Sequence, residues 1–471
     1  MNRFVGLLIA AIGLAGSSLR DVVADETRPP NIVLIFADDL GWKDVGYQGT
    51  DFYETPNIDR LAKEGMVFSA GYSAAGNCQP SRACLISGQY TPRHDVYAVK
   101  STERGPKQLM RLNPVPNRSG IAHDNASLAD VLKAAGYATG IFGKWHLGGP
   151  EGCKPGEMGF DVVVDAQHNG NGVKDDPKGI YKLTNAACEF MEKNREQPFF
   201  AYVSHHAIHS GLQYHQETLD RFQAKQPGQQ HINAKYAACT YDFDNAVGKL
   251  LDRMKELGLD ENTLVVFTSD NGATPQSSQE PLRGNKGSYH EGGIREPFIV
   301  RWPGNIQPGS TSAVPVINID LFPTFVEVAG TMTPDGKMLD GESLLPLLKQ
   351  TGRLNRKSIY WHFPGYIDAP VIRGRDPVFR TRPVSVINRD HWKLYLYHEE
   401  WQLDGGRESI ATNRSVELYN LRDDIGERTD LAQSNTDKRD ELLNELLAWF
   451  ETTKAKLPTE ANPKYDPAGK K

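Results

Sequence analysis

Apolar runs alternate with amphipathic segments along most of this chain. Residues 31–37, 137–142, 198–203 and 263–268 form runs without a charged residue, which is typical of strands buried on both faces of a parallel sheet. Segments between the runs, including 56–64, 128–135 and 233–257, have the periodicity of helices. The alternation predicts an α/β fold, with a large central and mostly parallel sheet sandwiched by helices.

Capping residues bound two of these predicted helices: Thr55 and Gly65 flank the first, and Ser127 and Gly136 flank the second. A further helix is expected from Pro80 to Ser87, with the proline in its first turn. Cys78 would then lie at a helix N-terminus, where free backbone N–H groups and the helix dipole favour an anion.

The texture of the sequence changes near residue 358. Aromatic-rich strands are predicted at 359–363, 392–397 and 417–421, and a final helix at 438–453. These elements indicate a smaller C-terminal α+β subdomain with an antiparallel sheet. We therefore divide the chain into a catalytic domain (25–355), a C-terminal subdomain (356–457) and a flexible tail (458–471).

The N-terminus has the features of a secretory signal peptide. Arg3 precedes a short apolar stretch, and Val22, Val23 and Ala24 offer a cleavage site before Asp25. The stretch is short for a membrane span, so a retained anchor is the less favoured alternative. Residues 1–24 are thus predicted to be removed from an exported protein, either periplasmic or secreted, without a stable membrane span.

Composition excludes some partners and leaves the cysteines open. The 471 residues carry a net charge of −6, with both signs spread along the chain, which gives no nucleic-acid footprint. A polyanion would have to be bound by local basic patches. There are five cysteines, at positions 78, 84, 153, 188 and 239. Apart from Cys78, the four others could pair as disulfides in an oxidising compartment or remain buried thiols.

Two strand ends carry a candidate metal site. Asp38 and Asp39 follow the first buried run, and Asp270 and Asn271 follow the last. Ligands of open α/β sheets bind at such carboxyl ends, and these oxygen donors suit a hard cation such as calcium. Zinc is disfavoured, because no cysteine and histidine set has its usual spacing. The alternative is that the carboxylates cap helices or lie in solvated turns.

The run from Cys78 to Gly88 reads Cys-Gln-Pro-Ser-Arg-Ala-Cys-Leu-Ile-Ser-Gly. It resembles the signature of the type I sulfatases, which are arylsulfatase-like members of the alkaline phosphatase-like superfamily. The resemblance implies that a formylglycine-generating or equivalent maturase oxidises Cys78 to formylglycine, whose hydrate is the nucleophile. The alternative interpretation of the same residues is that Cys78 is a reduced cysteine at a loop-to-helix junction and that Arg82 points into solvent.

Further matches to the family follow in order along nearly the whole mature chain. Lys144 and His146 lie in Gly-Lys-Trp-His-Leu-Gly, His209 follows the Phe-Phe-x-Tyr strand, and Lys286 lies in the segment 281–287. The resemblance implies one Ca2+ ion, held by Asp38, Asp39, Asp270, Asn271 and the modified Cys78. It also implies a sulfate clamp of Arg82, Lys144 and Lys286, with His209 as the acid for the leaving group and His146 as a base. His205 and His206 remain alternatives to His209.

The motifs predict a reaction, hydrolysis of sulfate monoesters, but not a particular sugar. The resemblance favours sulfated carbohydrates, such as galactose or N-acetylgalactosamine sulfates in a polysaccharide or glycosaminoglycan. A basic stretch beside Tyr366 and Phe379 could form a substrate rim, or be a solvated loop; it contains Arg373, Arg375, Arg380 and Arg382. The alternatives are a phosphonate monoester or phosphodiester hydrolase of the same superfamily, and a non-catalytic protein that binds sulfated glycans with Cys78 unmodified.

Overall fold

The structure is a computed structural model that describes residues 28–122, 126–166 and 175–469. The predicted signal peptide, residues 1–24, lies outside these ranges. No helix within them is both long and apolar enough to cross a membrane.

The larger part of the molecule contains eleven strands and ten helices in the ranges described. Its strands are β1 (Asn31–Ala37), β2 (Met66–Phe68), β3 (Gly71–Tyr72), β4 (Ala138–Gly143), β5 (Val162–Val164), β6 (Phe199–Ser204), β7 (Thr263–Ser269), β8 (Arg295–Glu296), β9 (Ile299–Arg301), β10 (Ser310–Ser312) and β11 (Val316–Ile317). Its helices are α1 (Pro56–Glu64), α2 (Cys78–Ser87), α3 (Thr91–His94), α4 (Leu128–Ala134), α5 (Ile180–Lys193), α6 (Gln216–Ala224), α7 (Ala234–Glu256), α8 (Glu291–Ile294), α9 (Leu321–Val328) and α10 (Leu345–Leu348).

The central sheet has eight strands in the order β10-β2-β9-β7-β1-β6-β4-β5. β1 lies in its middle and pairs in parallel with both β6 and β7. Its side chains alternate between two hydrophobic cores: Ile32 and Leu34 pack on one face, and Val33 and Ile35 on the other. The prediction of a mostly parallel sheet covered on both faces is confirmed. Only β9 runs antiparallel to its neighbours β2 and β7.

Helix boundaries confirm one predicted cap and correct two details. Ser127 caps α4 through a capping box with Asp130, as expected. Thr55 makes no capping hydrogen bond to α1, because its hydroxyl donates to the Asp59 side chain instead. Helix α2 begins at Cys78, two residues earlier than predicted, so the cysteine belongs to the first turn itself.

The C-terminal subdomain is built on a four-stranded antiparallel sheet, as predicted. Its elements are β12 (Ser358–Phe363), β13 (Ile367–Asp368), β14 (Phe379–Thr381), β15 (Val384–Arg389), β16 (Trp392–Tyr397), α11 (His398–Leu403), β17 (Val416–Asn420) and α12 (Thr436–Thr453). The sheet order is β12-β15-β16-β17, with α12 packed against β15 and β16. β12 begins three residues after the predicted domain boundary at residue 355.

Between β12 and β15 the chain makes an excursion, residues 364–383, that includes the two-stranded pair β13-β14. This excursion reaches back to the larger domain. Gly284 donates a backbone hydrogen bond to Ile372, and the Arg283 side chain donates to the carbonyl of Arg373. The subdomain therefore contacts the loop 281–287, which carries one of the predicted catalytic lysines.

Two further expectations concern the tail and the cysteines. Backbone hydrogen bonds pair Asn113 with Glu460 and Asn462 with Arg111, so this part of the C-terminus lies along the segment 108–113 rather than loose in solvent. All five cysteines are free thiols. The structure therefore follows the alternative of unpaired cysteines.

Candidate active site

Four neighbouring parallel strands deliver the predicted site residues to one edge of the sheet. Asp270 and Asn271 follow β7, Asp38 and Asp39 follow β1, His205 to His209 follow β6, and Lys144 follows β4. Because the carboxyl ends of parallel strands meet at the same edge, residues more than two hundred positions apart become neighbours. The Asp39 backbone N–H, for example, donates to Oδ1 of Asp270 at 3.2 Å.

Cys78 lies at this edge as the first residue of α2. Its side chain is 2% exposed, and its Sγ lies within 4.8 Å of carboxylate oxygens of Asp38 and Asp270. Asn77 precedes the helix without a side-chain capping bond. The position combines a helix N-terminus, which attracts anions, with two carboxylates, which attract cations. Burial raises the pKa of the unmodified thiol above its usual value.

Three buried oxygens at the ends of β1 and β7 have no hydrogen-bond partner among the described residues: Oδ1 of Asp38, Oδ2 of Asp39 and Oδ1 of Asn271. Buried polar atoms are almost always satisfied in native proteins. Asn271 donates its Nδ2 to Asp39 Oδ1 at 2.8 Å, which fixes the amide so that its oxygen stays available. Carboxylate and amide oxygens in this number fit a hard cation such as calcium and do not fit zinc.

Three cations neutralise the acidic cluster, one per carboxylate. Lys144 Nζ lies 2.6 Å from Asp38 Oδ2, and Lys286 Nζ lies 2.5 Å from Asp39 Oδ1. Arg82 binds Asp270 Oδ2 through Nη2 at 2.6 Å and through Nε at 2.9 Å. All three predicted clamp residues therefore face the site, which corrects the view of Arg82 as a surface side chain.

The electrostatics of the carboxylates follow from these pairs. Burial disfavours the charged form of Asp38, but Lys144 and Arg82 outweigh it and hold the pKa of that carboxyl well below its usual value. Burial and the neighbouring Asp38 charge raise the pKa of Asp270 to about 6 despite Arg82. Each carboxylate of the cluster has a paired cation, but burial and the proximity of Asp38 still disfavour the charged form of Asp270.

His146 lies two residues after Lys144. Its backbone is in the left-handed region, with a φ of 63°. Burial and then the Lys144 charge lower its pKa to about 3, so the imidazole is neutral at ordinary pH. Its buried Nδ1 has no partner among the described residues. A neutral ring with a free nitrogen can accept a proton, which is what the predicted base must do.

Geometry distinguishes the three clustered histidines. The ring of His205 is fully buried, with Nε2 3.0 Å from the Thr184 hydroxyl, and Nε2 of His206 lies 2.7 Å from a carboxylate oxygen of Asp165. Only His209 faces the acidic cluster, with Nε2 3.9 Å from Asp39 Oδ2 and a 35% exposed side chain. His209 is therefore the member of the cluster that a substrate can reach.

The prediction that aromatic and basic residues of the stretch 366–382 line a substrate rim is largely wrong. Tyr366 and Phe379 are fully buried and pack on each other, so they cannot line a surface. Three of the four arginines pair with carboxylates, Arg373 with Glu280, Arg375 with Glu400, and Arg382 with Asp376 and Glu399. Only Arg380 lacks such a pair within the described ranges, and its Nη1 donates to the Lys286 carbonyl at 2.8 Å.

Sequence reasoning missed a buried lysine behind His209. Lys178 is 3% exposed, and its Nζ donates to the carbonyls of His209 and Ser210 at 2.6 and 3.3 Å. Between Pro177 and Gly179 it has the sequence context of a surface turn, so no pattern could have singled it out. Burial lowers the pKa of its ammonium group.

A cavity of about 440 Å³ adjoins the site at His146 and at Gln79, the residue after Cys78. Trp145 and Pro150 contribute to a mostly apolar lining. A larger cavity of about 690 Å³ lies between α5 and α7 and shares no residue with the site. The smaller cavity is therefore the one of these two that adjoins the predicted site residues.

Comparisons with known proteins agree with the fold and the site. A family model described as Sulfatase matches residues 30–331, and one described as N-sulphoglucosamine sulphohydrolase, C-terminal, matches residues 285–454. Together with the mixed, mostly parallel sheet, they define a sulfuric ester hydrolase with the alkaline phosphatase-like fold. The chain belongs to the sulfatase family.

The relatives cover most of the chain. A sulfatase of Formosa agariphila is 32% identical and aligns with 94% of this chain and 92% of its own length. An N-acetylgalactosamine-6-sulfatase of Mus musculus is 33% identical over 75% of this chain and 72% of its own. Among solved structures, Ps i-CgsB matches with a TM-score of 0.71 at 29% identity, over 90% of this chain and 93% of that one.

Proposed function

We propose that this sulfatase hydrolyses sulfate monoesters of carbohydrates, with Cys78 matured to formylglycine and one Ca2+ ion held at the sheet edge. One observation carries the proposal: three buried oxygens without a hydrogen-bond partner in the described ranges follow β1 and β7, where Asp38 and Asp270 lie within 4.8 Å of a cysteine in the first turn of a helix. An apolar or purely structural site would have no reason to leave Asp38, Asp39 and Asn271 unsatisfied. The modified residue, when present, supplies a hydrated aldehyde as the nucleophile.

The metal ligands in this proposal are Asp38, Asp39, Asp270 and Asn271, together with an oxygen of the modified residue 78. Calcium binds six to eight oxygens in flexible geometry, which such a set can provide in part, with substrate supplying the rest. The ion would also favour the charged form of Asp270, which burial and the neighbouring Asp38 charge disfavour. Lys144 and Lys286, which now pair with Asp38 and Asp39, would then be free to contact sulfate oxygens.

The remaining residues hold the sulfate and move protons. Arg82, Lys144 and Lys286 provide positive charge for the three non-bridging oxygens of the ester. His209, at the open side of the cluster, donates a proton to the bridging oxygen as the sugar alcohol leaves. His146 accepts a proton from residue 78 when sulfate is released. The cavity beside His146 offers space for the alcohol part of the substrate.

The substrate class rests on the relatives. One acts on N-acetylgalactosamine 6-sulfate by its name, and a solved structure of Ps i-CgsB contains the oligosaccharide k-i-k-neocarrahexaose. We therefore propose galactose or N-acetylgalactosamine sulfates of a polysaccharide or glycosaminoglycan as substrates. We further propose that the protein is exported after loss of residues 1–24 and that a formylglycine-generating enzyme matures it.

Peptide mass spectrometry across residue 78, with assays of the same preparation, tests this function. An aldehyde at residue 78, and hydrolysis of an aryl sulfate far above that of an aryl phosphodiester, is the expected result. Cys78→Ala should abolish turnover while its circular dichroism and melting temperature match the wild type. Wild-type turnover by Cys78→Ala would contradict the proposal, and a preference for the phosphodiester would assign the chain to the alternative reaction.

The metal is tested on the same protein without turnover. Treatment with a chelator followed by return of CaCl2 should raise the melting temperature, because an ion that binds only the folded state stabilises it by about 2.7 kcal/mol at a hundredfold excess over its Kd. Elemental analysis should give one calcium per chain. An unchanged melting temperature with calcium, or a zinc content instead, would contradict the proposed ligand set.

A further inference from the structure

Arg380 differs from the other arginines of the excursion 364–383. No carboxylate lies within ion-pair distance of its guanidinium in the part of the chain that the structure describes, whereas Arg373, Arg375 and Arg382 each have one. Arg380 is half-buried on β14. Its Nη1 donates to the Lys286 carbonyl at 2.8 Å, and its Nε lies 3.5 Å from the Ala369 carbonyl. Both fixed contacts are backbone carbonyls, so they leave its charge unbalanced.

Gly287 makes room for this arrangement. A Cβ atom at Gly287 would lie 2.2 Å from Cδ of Arg380, and the glycine has a φ of +87°, which side chains rarely adopt. Only glycine therefore lets the arginine stem lie directly on the loop that carries Lys286. Because Lys286 Nζ contacts Asp39, this packing ties Arg380 to the loop that reaches the proposed site, and the charge of Asp39 acts on its guanidinium.

A second guanidinium increases the positive charge there. Arg104 pairs with Asp368 of β13 at 2.9 Å, and the charges of both residues act on Arg380. Burial, and then the charge of Arg104, lower the pKa of Arg380. Asp368 is therefore already paired with Arg104 and forms no ion pair with Arg380. A partly buried cation without a counter-ion is costly, so an anionic ligand at this position would be stabilised.

We propose that Arg380 forms an anion subsite that binds a second negatively charged group of the substrate, next to the sulfate that is hydrolysed. The subsite rests on the proposed function, because it takes the other end of the same substrate. Its guanidinium can bind a sulfate or a carboxylate through two parallel hydrogen bonds. The preferred substrate is therefore a glycan with two anionic groups in close succession rather than an isolated sulfated sugar.

Kinetics on matched substrates test the subsite. The set comprises 4-nitrophenyl sulfate, a monosulfated disaccharide, a disulfated disaccharide, and a monosulfated disaccharide with a uronic acid carboxylate. Arg380→Gln should lower kcat/KM for the substrates with a second anion about 10- to 100-fold more than for 4-nitrophenyl sulfate, the range expected for a charged hydrogen bond. A loss for the disulfated sugar alone identifies sulfate as the second anion, and a loss for the uronate alone identifies carboxylate.

Arg428→Gln is the matched control. It removes the same charge from the same subdomain, but Arg428 is exposed and paired with Glu280. Its kinetics should equal those of the wild type on every substrate. Equal losses for Arg380→Gln on all four substrates would overturn the subsite, because the arginine would then act only through the Lys286 loop. No loss on any substrate would overturn it as well.

A binding measurement keeps the test independent of turnover. On a Cys78→Ser background, calorimetric titration with the disulfated disaccharide should show a Kd about 10- to 100-fold weaker after Arg380→Gln. Binding of the monosulfated disaccharide should weaken far less. If the wild-type enzyme hydrolysed no sulfate ester, the proposed function would fail, yet this titration would still support or overturn the anion subsite.

Discussion

The buried side chain of Lys178 holds the loop that carries His209. The loop that carries His209 is anchored on its inner side by two backbone hydrogen bonds between Asp38 and the pair Ala207 and Ile208. On its outer side, the carbonyls of His209 and Ser210 are fixed by the Lys178 ammonium group. His209 lies between these two anchors in the chain, so the orientation of its imidazole depends on both.

We expect Lys178→Met to disturb the acid more than the nucleophile. Loss of the outer anchor should reduce kcat for a sugar sulfate about 10- to 100-fold, because small displacements of a catalytic group are expensive and a sugar alcohol needs protonation to leave. The loss on an aryl sulfate should be clearly smaller, with similar KM values throughout. Steady-state kinetics on both substrates check this.

Lys182→Met serves as the control for this prediction, because Lys182 also donates to a backbone carbonyl, that of Asp165, but is exposed and does not touch the His209 loop. It should behave as the wild type. Lys178→Arg retains a cation and several donors and should restore part of the difference between substrates. Equal losses on sugar and aryl sulfates after Lys178→Met would mean that Lys178 supports the fold and not His209.

At the scale of the element, the N-terminus of α4 is held by side chains rather than by packing alone. Ser127 Oγ accepts the Asp130 N–H at 3.0 Å and donates to the Met158 carbonyl at 2.7 Å, and the Asp130 carboxylate accepts the Ser127 N–H at 2.9 Å. Ser127→Ala should therefore lower the free energy of unfolding by about 1–2 kcal/mol.

Urea denaturation measures this cap: the midpoint should fall while the slope with denaturant stays constant. Ser434→Ala is the matched control, since Ser434 is exposed and its hydroxyl makes only a long contact of 3.4 Å with the Leu431 carbonyl. It should change the midpoint very little. A change as small for Ser127→Ala would show that packing, not the capping box, sets the stability of this helix end.

The length and the end residues of an element decided whether the sequence could predict it. Strand β1 was predictable to the residue, because a seven-residue apolar run has only one buried solution in a parallel sheet. Helix α2 was predicted two residues short, because proline favours the first position of a helix, whereas Pro80 is the third residue of α2. The two- and three-residue strands β8 to β11 are too short to show any periodicity.

The site divides along similar lines. Asp38, Asp270 and Cys78 stand out in sequence because they follow buried runs or lie in a motif. The state of the arginines does not, because an ion pair depends on where carboxylates from other elements fall: Arg375 meets Glu400, and Arg380 meets no carboxylate in the described ranges. The sequence shows a basic stretch, but only the tertiary structure separates the arginines that pair with carboxylates from Arg380, which donates to backbone carbonyls instead.

At the scale of the whole molecule, a buried ionic network joins the two parts. Lys393 on β16 lies 2.7 Å from Glu291 on α8 and 3.2 Å from Glu427, and all three side chains are buried. Tyr395 donates to Glu427, and Arg295 lies 2.7 Å from Glu291. The network fixes the C-terminal subdomain, and with it the excursion that carries Arg380, against the catalytic domain.

Lys393→Met should therefore lower the free energy of unfolding by about 3–5 kcal/mol, because it leaves two carboxylates buried with too little positive charge. The deficit should depend on pH. Burial raises the pKa of Glu427 even with Lys393 present. Burial also opposes ionisation of Glu291, but there the charges of Lys393 and Arg295, with hydrogen bonds, together outweigh it and lower the pKa. Without the lysine the pKa of Glu427 rises further, and Glu291 loses one of the charges that lower its pKa, so the folded variant binds protons more readily than the folded wild type.

Stability of the variant relative to wild type should consequently improve as pH falls from 8 toward about 5. Urea denaturation at several pH values measures the difference, with Lys438→Met as the control, since Lys438 forms only a surface pair with Glu441 and should cost less than about 1 kcal/mol at any pH. A pH-independent deficit for Lys393→Met would mean that lost packing, not unpaired charge, dominates. Activity on substrates with two anionic groups should fall together with stability, because the subdomain carries the anion subsite.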